Sequence, residues 1–540
     1  MQPELLSSAA NDDFNFNNGV GNYQIACKFI AEQIENSRTI LSYAQVFKVV
    51  RRIASEYHLR TMPRNEDLIR YLRDERYRRL LMVKPAKTAS GVAVVTVMPK
   101  PYQCPHGKCT YCPGGIEFNT PLSYTGAEPV TKAAQRFSYD PFQQCRSKIE
   151  HLESRGHDTG KTEIVIVGGT FPFMPTYYQK QFVKSCYDAL NCKKSPTLEE
   201  AMAFNETAKN RCVGFTVETK PDFCKESHID LMLELGVTRI EVGVQSLDNN
   251  VYKLTNRGYT LHDVVHAFKV ARDAGYKIVA HMMPGLPGSS PEKDVEDFKK
   301  LFENDAFKPD MLKIYPTLVL EHTGLFKMYR SGKYHAYSDE ELVNTIAKAK
   351  MLIPEWVRIM RIQREIESKD IVAGPQSGNL RQIVLEKLRQ QGYQCKCIRC
   401  RETGLQRRYP AEDEVILRRT DYSASGGREI FLSWESKAGD TILGFLRLRK
   451  VASPHRMELH DSTIVRELHV YGQAVSVGRK ERADSYQHRG YGVKLLKEAE
   501  RIARDELGFS KIAIISAVGT RQYYKKLGYQ QDGPYVSKVL

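Results

Sequence analysis

No run of apolar residues in the 540-residue chain is long enough to span a bilayer, which excludes a protein built on membrane helices. The opening residues, MQPELLSSAANDDFNFNNGV, carry no basic residue ahead of an apolar core, so they do not read as a secretory signal. Residues 1–22 read instead as a polar, poorly ordered tail, and a cytoplasmic location is expected. No internal repeat is visible, which sets repeat architectures aside. Without an export signal, the twelve cysteines do not suggest a disulfide framework. Six of them (Cys27, Cys145, Cys186, Cys192, Cys212 and Cys224) are scattered and read as core packing. The other six fall into two tight trios, and neither trio has a fourth cysteine beside it.

A chain of this length exceeds what one hydrophobic core usually supports, so two or three domains are expected. Hydrophobic content of 41% and charged content of 27% suit a soluble globular protein. The formal net charge of +16 favours a polyanionic partner such as nucleic acid; a generally basic surface kept for solubility is the alternative. The distribution supports the first. Residues 23–90 show apolar residues at three- and four-residue spacing, the mark of amphipathic helices. Arg51, Arg52, Arg60, Arg64, Arg70, Arg73, Arg76, Arg78 and Arg79 crowd into that stretch, with Lys84 and Lys87 after them. Acidic residues are mixed in but outnumbered, so this region reads as a phosphate-contacting module.

From residue 91 the pattern changes. Seven short apolar runs (in GVAVVTVMPKP, EIVIVGG, CVGFTVETKPD, RIEVGVQSL, KIVAHMMPGLPG, MLKIYP and VRIMRIQ) alternate with helical stretches through residue 366. Repeated βα units with near-continuous apolar strands mean a parallel sheet with helices outside, curled into a barrel or partial barrel. Functional groups then sit at the strands' carboxyl ends. Residues 367–410 break the pattern and hold the second trio, Cys395, Cys397 and Cys400. Residues 411–540 read as a separate α+β domain.

The first trio, Cys104, Cys109 and Cys112 in CPHGKCTYCPGG, directly follows the first strand. Thiolates suit zinc or iron–sulfur clusters, and a structural zinc site wants four protein ligands. Three ligands in one loop leave one iron of a cubane cluster free. Zinc with a remote fourth ligand is the alternative. In the last domain, QHRGYG at Gln487–Gly492 opens a helix, and such a loop presents backbone N–H groups to a pyrophosphate. An ordinary glycine turn is the alternative there.

A C-x4-C-x2-C loop after the first strand of a βα barrel resembles the radical S-adenosylmethionine superfamily. The resemblance implies a 4Fe-4S cluster on Cys104, Cys109 and Cys112 and S-adenosylmethionine on the open iron. Gly168, Gly169 and Thr170 stand where the superfamily often has Gly-Gly-Glu; the carboxylate is missing. The C-terminal strand–loop–helix order resembles the GNAT acetyltransferases, which bind acetyl-CoA. That likeness implies an acetyl-CoA site of Glu467, Leu468, His469 and Val470 on a strand, Gln487, Gly490, Tyr491 and Gly492 in the loop, and Tyr523 near the thioester. One of Tyr523 and Tyr524 is expected in the core.

The two domains in one chain resemble the catalytic subunit of Elongator and its single-chain archaeal and bacterial homologues. GGTF, ETKPD, GVQSLD, GNLRQ, CKCIRCRE, RELHVYG and GTRQYYKKLGY add to the likeness, and the short first-trio spacing matches a prokaryotic, archaeal-type member. The family implies modification of carbon 5 of the tRNA wobble uridine, a tRNA carboxymethyluridine synthase. A deoxyadenosyl radical takes hydrogen from the acetyl methyl group, the carbon radical attacks the uridine, and the thioester is hydrolysed. It also implies catalytic roles for Lys161, His469 and Tyr523, with Lys161 touching acetyl-CoA from the barrel side. Cys395, Cys397 and Cys400 would hold a structural zinc whose fourth ligand the sequence does not name. The partner is the anticodon arm of tRNA, gripped by the basic helices; other Elongator subunits are not expected to be required, and a homodimer stays open. Two rival readings are a protein lysine acetyltransferase and a tRNA-binding assembly protein with a dead site.

Overall fold

The computed structural model describes residues 18–472 and 490–540. The chain divides into two compact units. One takes the chain up to Pro85 together with Glu150–His157; the other takes Ala86–Ile149 and Asp158–Leu540.

The first unit holds helices α1 (Asn18–Glu35), α2 (Tyr43–Glu56), α3 (Asn65–Ile69) and α4 (Glu75–Leu80). Their apolar stripes meet in a core that includes Ile30, Ile34, Val50, Ile53, Leu68 and Tyr77. Ser42 starts α2 with a capping box: its Oγ accepts from Gln45 N at 3.4 Å while Gln45 Oε1 accepts from Ser42 N at 2.8 Å. Arg51, Arg60, Arg70 and Arg73 are exposed, whereas Arg78 turns inward and donates to the carbonyls of Ile69 and Leu72 at 2.7 and 3.1 Å. The tail expected over residues 1–22 needs correction, because residues 18–22 already belong to α1. The first buried side chains, Ala26 and Cys27, follow Asn18 by about two turns.

The second unit opens with β1 (Ala93–Val97), β2 (Lys161–Ile166), β3 (Arg211–Thr219), β4 (Arg239–Gln245), β5 (Lys277–Met282) and β6 (Met311–Ile314). A short β7 (Val319–Leu320), then β8 (Arg358–Ile362) and a short β9 (Ile371–Ala373) follow. Strands β1 to β6 and β8 form one parallel seven-stranded sheet in chain order, curled into a half-barrel, while β7 and β9 pair separately. Thus β1 and β8 are open edges. The strands read as near-continuous apolar runs; in place, several alternate. Ile240, Val242, Ile278, Leu312 and Ile359 pack in the core cluster with the helices. Glu163, Glu218, Arg239, Glu241, His281, Lys313 and Arg361 line the hollow of the half-barrel instead. A closed barrel fills that space with branched apolar side chains. Here it stays open and charged.

The C-terminal domain is a second seven-stranded sheet of β10 (Val415–Ala424), β11 (Gly427–Ser436), β12 (Ile442–Lys450), β13 (Ser462–Val470), β14 (Lys511–Ile514), β15 (Gln530–Asp532) and β16 (Tyr535–Val539). Its order is β10-β11-β12-β13-β14-β16-β15. The β13–β14 pair is parallel and its register ends at Val465 and Ile514, so β13 continues to Val470 without β14 beside it. The helix Tyr491–Arg501 packs Leu495, Leu496 and Ala499 on this sheet.

The sheet meets the half-barrel through buried charges. Arg466 donates to both Asp310 carboxylate oxygens at 2.6 and 2.8 Å, to Glu429 Oε2 at 2.9 Å and to the Tyr276 carbonyl at 2.8 Å. Arg447 donates to Glu467 Oε2 at 2.9 Å and to the Trp356 carbonyl at 2.7 Å. Asp310 and Tyr276 flank the amino ends of β6 and β5, so the C-terminal domain covers the half-barrel's base. Residues 367–410 are more than a linker: the helix Leu380–Gln390 buries Leu380, Val384 and Leu388 in the half-barrel's core cluster.

Candidate functional site

The loop after β1 brings the first trio to the carboxyl end of the sheet. Cys104 is half-buried, and Cys109 and Cys112 are buried. All three line a cavity of about 470 Å³. Lys220 Nζ lies 2.8 Å from His106 Nδ1, which leaves Nε2–H to donate to Cys109 Sγ at 3.1 Å. Arg257 Nη1 donates to the same sulfur at 3.3 Å. A bond from Cys112, together with Arg257 and His106, outweighs burial and holds the Cys109 thiol well below the usual range. The bond to Cys109 and burial push the Cys112 thiol up, and burial raises that of Cys104, so without a metal the negative charge settles on Cys109.

Beside it, Gly168 and Gly169 take φ of +123° and +109°, conformations that L side chains rarely adopt. A carboxylate reaches this loop from the next strand: Glu218 Oε2 accepts from Gly168 N at 3.0 Å. Gln245 closes β4 with φ of +73°, and its Oε1 is buried with no hydrogen-bond partner among the described residues. Thr170 Oγ1 and Tyr111 Oη are buried and unpartnered in the same way. All of these residues line the cavity. Sequence reasoning missed Glu218, Gln245 and Arg257. The available signal was the polar residue closing strands three and four, in ETKPD and GVQSLD; nothing marked Arg257.

The cavity runs down the half-barrel to its base, where Glu467, His469 and Tyr471 of the C-terminal domain line its far end. His469 Nε2 lies 3.0 Å from the Ser90 carbonyl, and burial pushes the imidazole pKa down, favouring the neutral ring. Gly490 caps the helix Tyr491–Arg501 with φ of +80°. A Cβ on Gly492 would stand 3.3 Å from Tyr523 Oη, 3.6 Å from Val470 and 4.0 Å from Leu468, so these four residues converge where β13 parts from β14. Tyr491 and Tyr524 are buried. Gln487 lies outside the described residues. Lys161 starts β2 in register with Arg211 and is not among the residues that line the cavity.

The second trio lies apart. One sulfur each from Cys395, Cys397 and Cys400 fall within 4.8 Å of one another. Lys350, fully buried, donates from Nζ to Cys395 Sγ at 3.1 Å. The sequence offered no signal for this lysine, which comes from a helix 45 residues earlier.

Comparison with known proteins follows this division. Residues 23–89 match the ELP3 N-terminal domain, 98–302 the radical SAM superfamily, 309–390 the radical SAM C-terminal domain and 398–529 the acetyltransferase (GNAT) family. A tRNA uridine(34) acetyltransferase of Methanocaldococcus infernus is 46% identical over 88% of this chain and 92% of its own. Human Elongator complex protein 3 is 45% identical over 91% of this chain and 93% of its own. The solved structure of the archaeal M. infernus Elp3 with an N-terminal deletion covers 84% of this chain and 100% of its own, with 44% identity and a TM-score of 0.75. No helix among the described residues is long and apolar enough to cross a membrane. A thiol loop and an acetyltransferase strand facing one cavity, in a chain this similar from end to end, place the protein in the Elongator complex protein 3 family, with its radical SAM and GNAT domains.

Proposed function

We propose that the protein modifies carbon 5 of the wobble uridine of tRNA, using acetyl-CoA as the carbon donor, as a carboxymethyluridine synthase. One observation carries this reading: a single cavity is lined at one end by Cys104, Cys109 and Cys112 and at the other by Glu467 and His469. An acetyltransferase that needed only a peptide amine would have no use for that connection.

The residues present fit the implied cofactors. Cys104, Cys109 and Cys112 would hold three irons of a 4Fe-4S cluster. Arg257, which donates to Cys109, Tyr259 and the Gly243 carbonyl, would set its positive charge beside the carboxylate of S-adenosylmethionine, and Glu218 would offer a carboxylate to its ammonium. Thr170 and Gln245 supply unpartnered polar atoms to the remainder. Bound together, the cluster and S-adenosylmethionine would supply a 5′-deoxyadenosyl radical. The chain's own work is to place and shield. β13 (through Glu467 to Val470) and the Gly490–Gly492 turn would grip acetyl-CoA, with Gln487 in the same loop. Tyr523 stands with Gly492, Leu468 and Val470 on one face of β13 and would act on the acetyl end there, while the neutral His469, on the opposite face, would approach it from the cavity. Lys161 would touch acetyl-CoA from the barrel side. The exposed arginines of α2 to α4 would hold the anticodon arm, without other Elongator subunits. Cys395, Cys397 and Cys400 would bind a structural zinc with Lys350 against it.

Acetyl-CoA turnover measured with tRNA, with a lysine peptide and with neither tests the reading. Turnover should require tRNA; turnover on peptide alone would replace it with the lysine acetyltransferase reading.

A further inference from the structure

Half-way down the half-barrel, its hollow is ringed by charge. Glu218 and Glu241 are register partners on β3 and β4, His281 and Lys313 on β5 and β6, and Lys313 and Arg361 on β6 and β8. Register partners on adjacent strands project to one face, and the contact between His281 and Glu241 joins these two sets into one layer across five strands, since Glu241 itself pairs with Val279. All five side chains line the cavity. Within the layer, His281 Nε2 lies 2.9 Å from Glu241 Oε2, and the Lys313 ammonium donates to that same oxygen. The other oxygen, Glu241 Oε1, has no hydrogen-bond partner among the described residues although Glu241 is 1% exposed. A dry, unpaired carboxylate oxygen is costly, so this atom is set for a donor that a ligand brings.

A metal ion is the first candidate, since one ligand atom each from Glu218, Glu241 and His281 lie within 4.8 Å of one another. Charge argues against it. Lys313 already sits on Glu241, and Arg239 and Arg361 act on the same carboxylate. A divalent ion would join three cations. A neutral ligand with an N–H beside a carbonyl fits better: the N–H meets Glu241 Oε1 and the carbonyl meets the Lys313 ammonium. Uracil presents that order, N3–H next to the C4 carbonyl. Cytosine presents a bare N3 and an amino group, the wrong sign at both places.

Taking uridine modification as the activity, we propose that Glu241 is the residue that distinguishes uridine from cytidine, by accepting the N3–H of the target base while Lys313 donates to its C4 oxygen. The layer lies between the thiol loop and the acetyltransferase strand, where a base must sit for its carbon 5 to meet both chemistries.

The test uses the full chain and three tRNA transcripts that differ only at position 34: uridine, N3-methyluridine and cytidine. Filter-binding affinities at one salt concentration are compared, and nucleoside analysis is run on the same tRNAs. The wild-type protein should bind the uridine tRNA roughly tenfold more tightly than the other two. In E241Q, whose amide can donate or accept, that preference should fall below about twofold. Equal wild-type affinity for the uridine and N3-methyluridine tRNAs would overturn the assignment, and that comparison needs no variant to fold. A preference undiminished in E241Q would overturn it as well. Nucleoside analysis judges the activity separately. Product without the preference refutes Glu241 alone, whereas the preference without product refutes the activity and leaves the contact standing.

Discussion

Replacing Arg466 with methionine should cost the protein more than any surface change. Arg466 is 0% exposed and its guanidinium bonds to Asp310, Glu429 and the Tyr276 carbonyl. Methionine keeps much of the apolar stem but leaves the two carboxylates short of a cation. Glu429 keeps Arg449 at 2.9 Å, whereas Asp310 keeps the Ile278 N–H at 2.9 Å and Arg447 at 3.6 Å, with Arg272 nearby. Removing one member of a buried ionic network costs about 3–5 kcal/mol. The chain's two tryptophans serve as probes: Trp356 contributes its carbonyl to this seam and Trp434 lies on β11. Urea unfolding followed by their fluorescence should show the loss at pH 7. The penalty should depend on pH. Burial alone would push the Asp310 carboxyl up, but Arg466 and Arg447 more than reverse this and hold it below the usual range. A depressed folded pKa stabilises above the unfolded value, near 4, and that contribution fades as pH falls toward the folded one. The gap between wild type and variant should therefore be full at pH 7 and shrink below about pH 4. A loss under about 1 kcal/mol at pH 7, the range of exposed pairs, would refute the buried seam.

Four further outcomes follow from the geometry. Cys109→Ala should abolish uridine modification and leave the urea midpoint in place, whereas Cys397→Ser should lower the midpoint and release zinc, as metal analysis of the purified proteins would show. Gly492→Val fills the space 3.3 Å from Tyr523 Oη and should weaken acetyl-CoA binding at least about tenfold by calorimetry. Replacing Arg51, Arg60 and Arg73 with alanine should flatten the salt dependence of tRNA binding, by roughly 0.7–0.9 in log–log slope for each phosphate that is no longer neutralised.

The parallel sheet was legible in the sequence because each βα unit repeats one apolar run and one helical stripe. The thiol loop and the glycine turn were legible because their spacing is local. What stayed hidden was assembled across distance. Asp310 and Arg466 are 156 positions apart, and nothing in either neighbourhood marks the pair. The charged layer escaped notice because each strand contributes only one member of it, and strand register together with the His281–Glu241 contact is needed to bring the five together. Glu218, which accepts from Gly168 N, reaches the glycine loop from a different strand. The tail was drawn too long because Gly19 and Gly21 weaken the helical signal, yet α1 begins at Asn18.

The claim that one cavity serves two chemistries can be tested by following a single atom. Acetyl-CoA deuterated in its methyl group is incubated with tRNA, S-adenosylmethionine, reductant and anaerobically reconstituted protein, and the 5′-deoxyadenosine formed is weighed by mass spectrometry. The account predicts one deuterium in that 5′-deoxyadenosine and two in the methylene of the modified uridine. Unlabelled 5′-deoxyadenosine beside a product that keeps all three deuterons would contradict it.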